Sequence, residues 1–284
     1  SRYYITTDDY LILSSEVGVL EIEPERIKVK ERLRPGKMLL VDTVKGEVID
    51  DNELKDSYAN MQPYGEWLDR NLVELKDLKI PNERVIEHRG EDLNRLQKAF
   101  GYTYESTKDT ILPMARNGAE SIAAMGIDSP IPVLSKDQQP LFNYFKQLFA
   151  QVTNPPIDSI REKVVTSTTV YIGEDGNLLE EKAINCQVLK VNNPILTNTD
   201  LMKIKNMKVD GFKVEVIPTT YYKSTSLEKA IERLFVEADR AYREGANILI
   251  LSDRGVDEYH VPIPSLLAAV SYTHLRAHET KANL

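Results

Sequence analysis

The chain has 284 residues, of which 42% are hydrophobic, and a formal net charge of −8. The hydrophobic content predicts a soluble globular protein and excludes a disordered chain. The negative charge excludes a general nucleic-acid binder, which needs a basic face. Its one cysteine, Cys186, allows no internal disulfide and no cysteine-rich metal or iron–sulfur site, and indicates a reducing, cytoplasm-like compartment. No apolar run approaches the roughly 20 residues that cross a bilayer and no signal-peptide pattern opens the chain, so we expect neither a membrane nor a nucleic acid as a partner.

The first 50 residues have the pattern of short β-strands separated by turns. The chain begins with Ser1 rather than Met, so we expect it to start inside a longer gene product. Segments rich in branched apolar residues predict strands at Tyr10–Ser14, Val17–Glu21, Ile27–Lys30 and Met38–Asp42. Such a block is too small to bury both faces of a sheet, so it is expected to form the edge of a larger, mostly antiparallel sheet.

Helical patterns dominate the next hundred residues. Apolar residues recur at helical spacing in Glu53–Ala59, Tyr64–Leu75, Leu93–Leu96 and Thr107–Met114. The segment Asp137–Val152 places its apolar residues on one face and predicts a strongly amphipathic helix. Its aromatic side chains could line a cofactor site, but packing in a core is the simpler interpretation.

The last third of the chain alternates strands and helices. Strands are predicted at Val170–Ile172, Gln187–Val191, Val214–Ile217 and, as a fully buried strand, Ile248–Leu251. Thr225 and Glu228 form a capping-box pattern that begins a helix, and Gly245 is placed to end it. The apolar residues of this helix recur at helical spacing: Leu227, Ala230, Ile231, Leu234, Phe235, Ala238 and Ala241. The predicted fold class is α/β, with an incomplete, barrel-related β/α topology that follows the short block of mostly antiparallel strands.

Residues 271–284 do not continue this alternation. His274 and His278 are four residues apart and could bring two metal ligands to one face of a helix. The run Ser271–Thr280 also resembles an adaptor-derived tail that is found on unrelated translated sequences. We therefore interpret residues 271–284 as a non-native tail and leave them out of the fold prediction.

Several motifs closely resemble the large subunit of the glutamate synthase family. They are Gly126–Pro130, Tyr144–Asp158, Arg32–Met38 with Val41–Asp42, Pro63–Tyr64 with Trp67–Leu68, and Leu251–Arg254 with Pro262–Leu267. The resemblance covers residues 3 to about 270, and the run Phe149–Asp158 is long and unusual. It implies that residues 1–50 are the closing strands of a class II glutaminase domain, and residues 51–270 the glutamate synthase central domain.

The resemblance also implies an activity for the full-length protein. Members of the family hydrolyse glutamine at an N-terminal cysteine and pass ammonia through an internal tunnel. They then form glutamate from 2-oxoglutarate at FMN, with electrons arriving through an iron–sulfur cluster from NADPH or ferredoxin. The implied partners are the missing glutaminase and FMN-barrel domains of the same chain, and a small NADPH-oxidising subunit or ferredoxin. The implied compartment is the cytoplasm, or the plastid stroma in a phototrophic eukaryote.

The residues needed for these reactions are not all in this sequence. Ser1 is not the catalytic cysteine, and Cys186 lies in the wrong domain, where it is expected to be a small buried apolar residue. No glycine-rich phosphate loop suits FMN, and one thiol cannot hold an iron–sulfur cluster. We therefore expect no catalytic, cofactor-binding or metal-binding residues here, and an isolated chain without activity.

The resemblance suggests two loops as walls of the ammonia tunnel. The candidate residues are Ser121, Met125 and Gly126 in one loop, and Thr153, Asn154 and Pro155 in the other. Gly126 would let the backbone approach closely, and Thr153 and Asn154 offer neutral hydrogen-bonding groups. The alternative is that residues 153–156 only stop a helix, with Asp158 capping the next one.

Other polar residues support less specific hypotheses. Asp253 and Arg254 follow the last buried strand and are candidates for a domain interface, or for an ion pair that closes the strand end. The acidic pairs Asp50–Asp51 and Glu180–Glu181 are expected on a solvated surface. His88 and His260 are isolated in the sequence and have no visible metal partner.

Three functions remain open at this point. The first is a non-catalytic connector that helps form the ammonia tunnel of glutamate synthase. The second is a free-standing α/β binding or interaction module without catalysis. The third, a self-sufficient barrel enzyme for phosphorylated substrates, lacks a phosphate loop and has too few βα units.

Overall fold

The computed structural model describes residues 1–16, 18–122, 130, 132–136, 139–145, 156–174, 176–177 and 179–282, the last nine of these by backbone alone. The chain divides into two units. The first consists of Ser1–Asn71 with Lys182–Cys186, and the second of Leu72–Glu181 with Gln187–Leu284.

The first unit begins with antiparallel strands. Its elements are β1 (Arg2–Thr6), β2 (Leu11–Ser14), β3 (Ile27–Arg32), β4 (Leu40–Asp42), β5 (Glu47–Ile49), α1 (Asp51–Ala59) and α2 (Tyr64–Asn71). The first three strands form a sheet in the order β2-β1-β3, and β4 pairs with β5 as a separate hairpin. The predicted antiparallel block is therefore confirmed, and β1, which was not predicted, lies at its centre.

The predicted strand at Val17–Glu21 is wrong where the structure describes it. Residues 18–21 form no strand, and Val17 lies outside the described residues. Gly18 has a φ of +82°, which is in the left-handed region and does not continue an extended chain.

The second unit alternates helices and strands. Its elements are β6 (Val73–Glu74), α3 (Gly90–Ala99), a π-helix (Ser106–Ile111), α4 (Leu112–Asn117), α5 (Glu162–Val165), β7 (Val170–Gly173), β8 (Val188–Val191), α6 (Asn198–Lys205), β9 (Val214–Pro218), β10 (Thr220–Tyr222), α7 (Leu227–Arg243), β11 (Ile248–Ser252), β12 (His260–Pro262) and α8 (Ser265–Ala282).

Parallel pairing links strands that are separated in the chain by one other strand. β11 lies parallel to β9, with Ile248 opposite Val214, and β6 lies parallel to β8 in the order β6-β8-β7. β10 and β12 form a separate antiparallel pair. The α/β class is thus confirmed, and in the part of the chain that the structure describes these strands do not close into a barrel.

Two apolar clusters form the core of the second unit. Ala230, Leu234, Ala238 and Ala241 of α7 pack with Ile217, Ile263 and Ala268 in one of them. Leu189 and Val191 of β8 pack with Ile204 and Ile248 in the other. Leu234 is fully buried, and a leucine in such a site contributes about 2–5 kcal/mol relative to alanine.

The predicted helix Tyr64–Leu75 ends earlier, at Asn71. Val73 and Glu74 instead extend as β6 and pair with Leu189 and Lys190 of β8. This pairing with a distant segment removes the last turn that the local periodicity predicted.

The predicted amphipathic helix Asp137–Val152 lies mainly outside the described residues. Its described part, residues 139–145, contains only one turn of 3-10 helix, Leu141–Tyr144. The helix predicted at Thr107–Met114 is present, but it begins as the π-helix and continues as α4. Pro113, which lacks a backbone N–H, sits in the first turn of α4.

The start of α7 differs by one residue from the prediction. Ser226, not Thr225, is the N-cap, and its hydroxyl accepts a hydrogen bond from the Lys229 N–H at 3.4 Å. The Glu228 backbone N–H and the Ser226 hydroxyl together lower the pKa of the Glu228 carboxyl. At the other end, Gly245 has a φ of +90° and ends the helix as predicted.

The strand predicted at Ile248–Leu251 forms as β11, but it is not fully buried. Ile248 is buried, and the four residues after it are half-buried. α8 runs from Ser265 to Ala282 and so passes through the segment interpreted as a non-native tail, whose foreign origin stays a prediction. Among the described residues, none of the helices combines the length and the apolarity that a bilayer crossing requires.

Candidate functional site

The residues predicted to line a tunnel are mostly beyond what the structure describes. Ser121 is described and half-buried, whereas Met125, Gly126, Thr153, Asn154 and Pro155 lie outside the described residues. Their role in a tunnel wall stays a prediction.

Asp158, just after the second of these loops, stabilises a turn. Its carboxylate accepts hydrogen bonds from the backbone N–H groups of Ile160 and Arg161, at 3.0 and 2.9 Å. The short helix α5 begins at Glu162, directly after this turn. Asp158 therefore orders the turn ahead of α5, but the N-cap of α5 is Arg161 and has no side-chain cap hydrogen bond, so the predicted capping of this helix by Asp158 is wrong.

Arg254 links the end of β11 to the start of α6. Its guanidinium donates a hydrogen bond to Asn198 Oδ1 at 2.8 Å, and its backbone N–H donates to Ser252 Oγ at 3.4 Å. Among the described ion pairs, none joins Arg254 to Asp253, so the alternative of a pair closing the strand end is wrong. Asp253 is half-buried and Arg254 is exposed, and their place in a domain interface stays a prediction.

A charged cleft lies where β6 and β8 end. We call it the strand-end cleft; it has a volume of about 260 Å³ and is lined by Glu74–Lys76, Lys190–Asn193, Ile195, Leu196, Asp200 and Lys203. Glu74 and Lys190 are register partners in the parallel pair of β6 and β8. Asp200 and Lys203 are brought to the cleft by α6, which follows β8 along the chain.

Ion pairs organise the strand-end cleft. The Glu74 carboxylate lies 2.7 Å from Lys76 Nζ and 3.6 Å from Lys190 Nζ. The hydrogen bond from Lys76, against the opposing effect of partial desolvation, lowers the pKa of Glu74, and the same contact raises the pKa of Lys76. Lys203 Nζ lies 3.8 Å from Asp200 and 3.4 Å from the Leu75 carbonyl oxygen, which ties α6 to the end of β6.

Asp51 in the first unit is buried, although the sequence predicted a solvated acidic pair. Its side chain accepts hydrogen bonds from Lys37 Nζ at 2.7 Å, Lys55 Nζ at 2.9 Å and the Met38 backbone N–H at 2.8 Å. Asp50 turns outward instead and caps α1 by accepting from the Asn52 N–H. We call the four residues Lys37, Met38, Asp51 and Lys55 the Asp51 clamp.

The Asp51 clamp holds the loop before β4 against α1. Lys55 also donates to the Gly36 carbonyl oxygen at 2.7 Å, so this loop is fixed from both sides. The hydrogen bond from Lys37, followed by those from the Met38 N–H and Lys55, holds the pKa of Asp51 far below its usual range. A carboxylate so engaged is a structural group, because its lone pairs are occupied by fixed donors.

His260 has a carboxylate partner that the sequence did not reveal. Its Nδ1 lies 2.9 Å from Asp257 Oδ1, and its ring lies 4.4 Å from the ring of Tyr222 between centroids. The Tyr259 backbone N–H, then the His260 ring, lower the pKa of Asp257. In the described residues, no hydrogen bond joins the His260 ring to a hydroxyl or thiol, so the pair lacks a nucleophile.

The remaining candidates carry little chemistry. Cys186 is half-buried rather than buried, in a 3-10 turn at Ala183–Cys186. Glu180 and Glu181 are exposed, as predicted, and His88 is exposed as well. Among the described residues, no three His, Cys, Asp or Glu side chains are grouped as metal ligands.

Family models match both units of this fold. The model described as glutamine amidotransferases class-II matches residues 1–67, so the first unit is similar to a segment of an amidotransferase. The model described as glutamate synthase central domain matches residues 95–283. Because this second match spans more than half of the chain, the chain belongs to the glutamate synthase family.

Curated relatives agree with this family. The chain is 44% identical to the glutamate synthase [NADPH] large chain of Bacillus subtilis, over 96% of this chain and 18% of the relative. It is 42% identical to glutamate synthase [NADH] of Schizosaccharomyces pombe, over 96% of this chain and 14% of the relative. It is 37% identical to ferredoxin-dependent glutamate synthase 2 of Synechocystis, over 96% of this chain and 18% of the relative. The chain thus spans less than a fifth of the length of these relatives.

Proposed function

We propose that this chain is the part of a glutamate synthase large subunit that joins the glutaminase domain to the FMN-binding barrel and helps form the ammonia tunnel between them. The observation that carries the proposal is the order of the two family matches. A class II amidotransferase match over residues 1–67 is followed, on the same chain, by a glutamate synthase central domain match over residues 95–283.

The full-length protein is then an oxidoreductase that makes two glutamates from glutamine, 2-oxoglutarate and a reductant. The names of the relatives, which specify NADPH, NADH or ferredoxin, support this class of reaction. The chain itself supplies no reacting group. Its role is to form part of the tunnel wall and to hold the two catalytic domains at a fixed separation. The tunnel must exclude water, because a reactive intermediate such as ammonia is otherwise lost.

The residues present do not fit the redox groups of this reaction. An iron–sulfur cluster needs several thiolates, and the sequence holds one cysteine. In the described residues, no glycine-rich loop follows β6, β8 or β9, as a phosphate site for FMN would require. FMN and the iron–sulfur cluster therefore belong to other parts of the full-length protein. A small NADPH-oxidising subunit or ferredoxin is the proposed electron-donating partner, in the cytoplasm or the plastid stroma.

Exposed apolar side chains support docking of further domains on this chain. They concentrate in the first half of the second unit, and include Ile80, Ile86, Ile122, Val133, Leu134, Ile160 and Val164. Exposed apolar side chains of a soluble protein are candidates for contacts with other domains. This surface favours a chain that is covered by neighbouring domains over a free-standing interaction module.

A tunnel variant in the full-length enzyme tests the proposal. We expect Gly126→Val to narrow the path and to lower glutamine-dependent glutamate synthesis about ten-fold or more, because even a small misplacement far from the chemistry can cost on the order of 10²-fold in rate. Synthesis from added ammonium salt should be unchanged, and glutamine hydrolysis should continue. The measurement is the ratio of glutamate formed to glutamine hydrolysed.

Gly65→Val is the matched control, because Gly65 is exposed and has no neighbouring atoms within 4 Å of an added Cβ. It should leave the ratio unchanged. If Gly126→Val also leaves glutamine-dependent synthesis at the wild-type rate, this loop does not line the tunnel. If it abolishes ammonia-dependent synthesis as well, the variant has damaged the synthase site instead.

A further inference from the structure

The strand-end cleft lies at the carboxyl ends of two parallel strands. Val73 pairs with Leu189 and Glu74 with Lys190, and both strands end at this edge. Open α/β sheets bind ligands outside the carboxyl ends of their strands. The position alone makes no site, so the charges in the cleft decide what it can hold.

The two carboxylates of the cleft have close partners. Glu74 lies 2.7 Å from Lys76 Nζ. Asp200 accepts a hydrogen bond from the Thr197 hydroxyl at 2.7 Å, as part of the capping box that begins α6. Glu74 thus has a close cationic partner, and Asp200 has a close hydrogen-bond donor.

The lysines of the cleft are compensated less well. The Lys203 side chain is only 12% exposed, and its nearest oxygens are the Leu75 carbonyl at 3.4 Å and Asp200 at 3.8 Å. Lys190 is 30% exposed and lies 3.6 Å from Glu74. An ammonium group carries three donors and prefers oxygens at about 2.7–2.9 Å. Removing such a group from water without close partners is unfavourable.

We propose that the strand-end cleft binds a small oxyanion, a carboxylate or phosphate group, between the ammonium groups of Lys190 and Lys203. The anion supplies the close acceptors that the protein does not. The lining holds three lysines against two carboxylates, an excess of positive charge in a chain whose net charge is −8. The cleft volume of about 260 Å³ suits a small molecule, and Ile195 and Leu196 add an apolar wall for a short carbon chain.

Calorimetric titration of the 284-residue chain tests this site. The probes are inorganic phosphate and succinate, each at constant ionic strength, with sodium chloride as the reference. We expect saturable binding of one anion per chain. Lys203→Met and Lys190→Met should each weaken it about ten-fold, the effect of losing one charge-assisted hydrogen bond. Lys205→Met, which removes an exposed lysine of the same helix outside the cleft, should bind as the wild type does.

The two probes distinguish the source of the oxyanion. Binding of phosphate alone indicates a phosphorylated ligand, and binding of succinate alone indicates a carboxylic acid. Lys190→Met is the second variant because the Lys190 side chain is more exposed than that of Lys203. If Lys203→Met fails to fold, Lys190→Met still tests the site. The proposal is overturned if neither anion binds saturably. It is also overturned if both variants bind the anion as tightly as the wild type does. This outcome is independent of the connector role, which rests on other residues.

Discussion

Asp51 gives the first unit a dependence on pH. Its carboxylate is held by Lys37, Lys55 and the Met38 N–H, which stabilise the charged form and lower its pKa. The folded chain thus binds the proton of Asp51 less tightly than the unfolded chain does. The resulting stability is fully present above the ordinary aspartate pKa of about 3.9 and is lost progressively as the pH falls below it.

We therefore expect Asp51→Asn to lower the midpoint of thermal unfolding at neutral pH. The difference from the wild type should shrink as the pH is lowered from about 5 to about 2, because the unfolded wild type takes up the Asp51 proton more readily than the folded chain does, which favours unfolding. Asp56→Asn, at an exposed position of the same helix, is the control and should have little effect. Equal midpoints for Asp51→Asn and the wild type at neutral pH would contradict this account of the clamp.

The sequence could not distinguish Asp51 from Asp50. Adjacent acidic residues before a helix have the same pattern whether they face solvent or a neighbouring loop. The choice depends on Lys37, which approaches from a loop fourteen residues away. For the same reason the strand-end cleft was not predicted, since Lys76, Lys190 and Lys203 meet only in three dimensions.

At the scale of elements, α7 follows its local signals most closely. Its apolar spacing predicted the buried stripe through Leu234 and Ala238, and Gly245 predicted its end. β6 and the shortened α2 had no such local signal, because β6 exists through its pairing with β8. Local periodicity therefore sufficed for a long amphipathic helix and failed for a two-residue strand.

The N-cap of α7 provides a test at this scale. We expect Ser226→Ala to lower the free energy of unfolding by about 1 kcal/mol, because the Lys229 N–H loses its acceptor. Thr225→Ala, one residue earlier, should change it by less than about 0.5 kcal/mol, as surface substitutions usually do. Urea denaturation followed by circular dichroism measures both variants. If Thr225→Ala lowers the free energy of unfolding more than Ser226→Ala does, the N-cap is Thr225, as the sequence predicted.

At the scale of the whole molecule, the family was inferred from long sequence motifs rather than from catalytic residues. The matched ranges 1–67 and 95–283 place an amidotransferase segment ahead of a central domain on one chain. The tunnel residues were inferred from the resemblance alone, since a tunnel wall has no characteristic residue pattern. The step from α7 to β11 was predicted from the residues, because this helix and this strand each carry their own signal.

The central claim is that this chain joins catalytic domains and has no catalytic centre of its own. The most direct measurement is glutamine hydrolysis by the purified 284-residue chain, followed as glutamate and ammonia released. The account predicts no hydrolysis above the rate in buffer, because among the described residues no hydrogen bond joins the Cys186 thiol to an amine or imidazole that could activate it. Steady hydrolysis that disappears in a Cys186→Ser variant would contradict it.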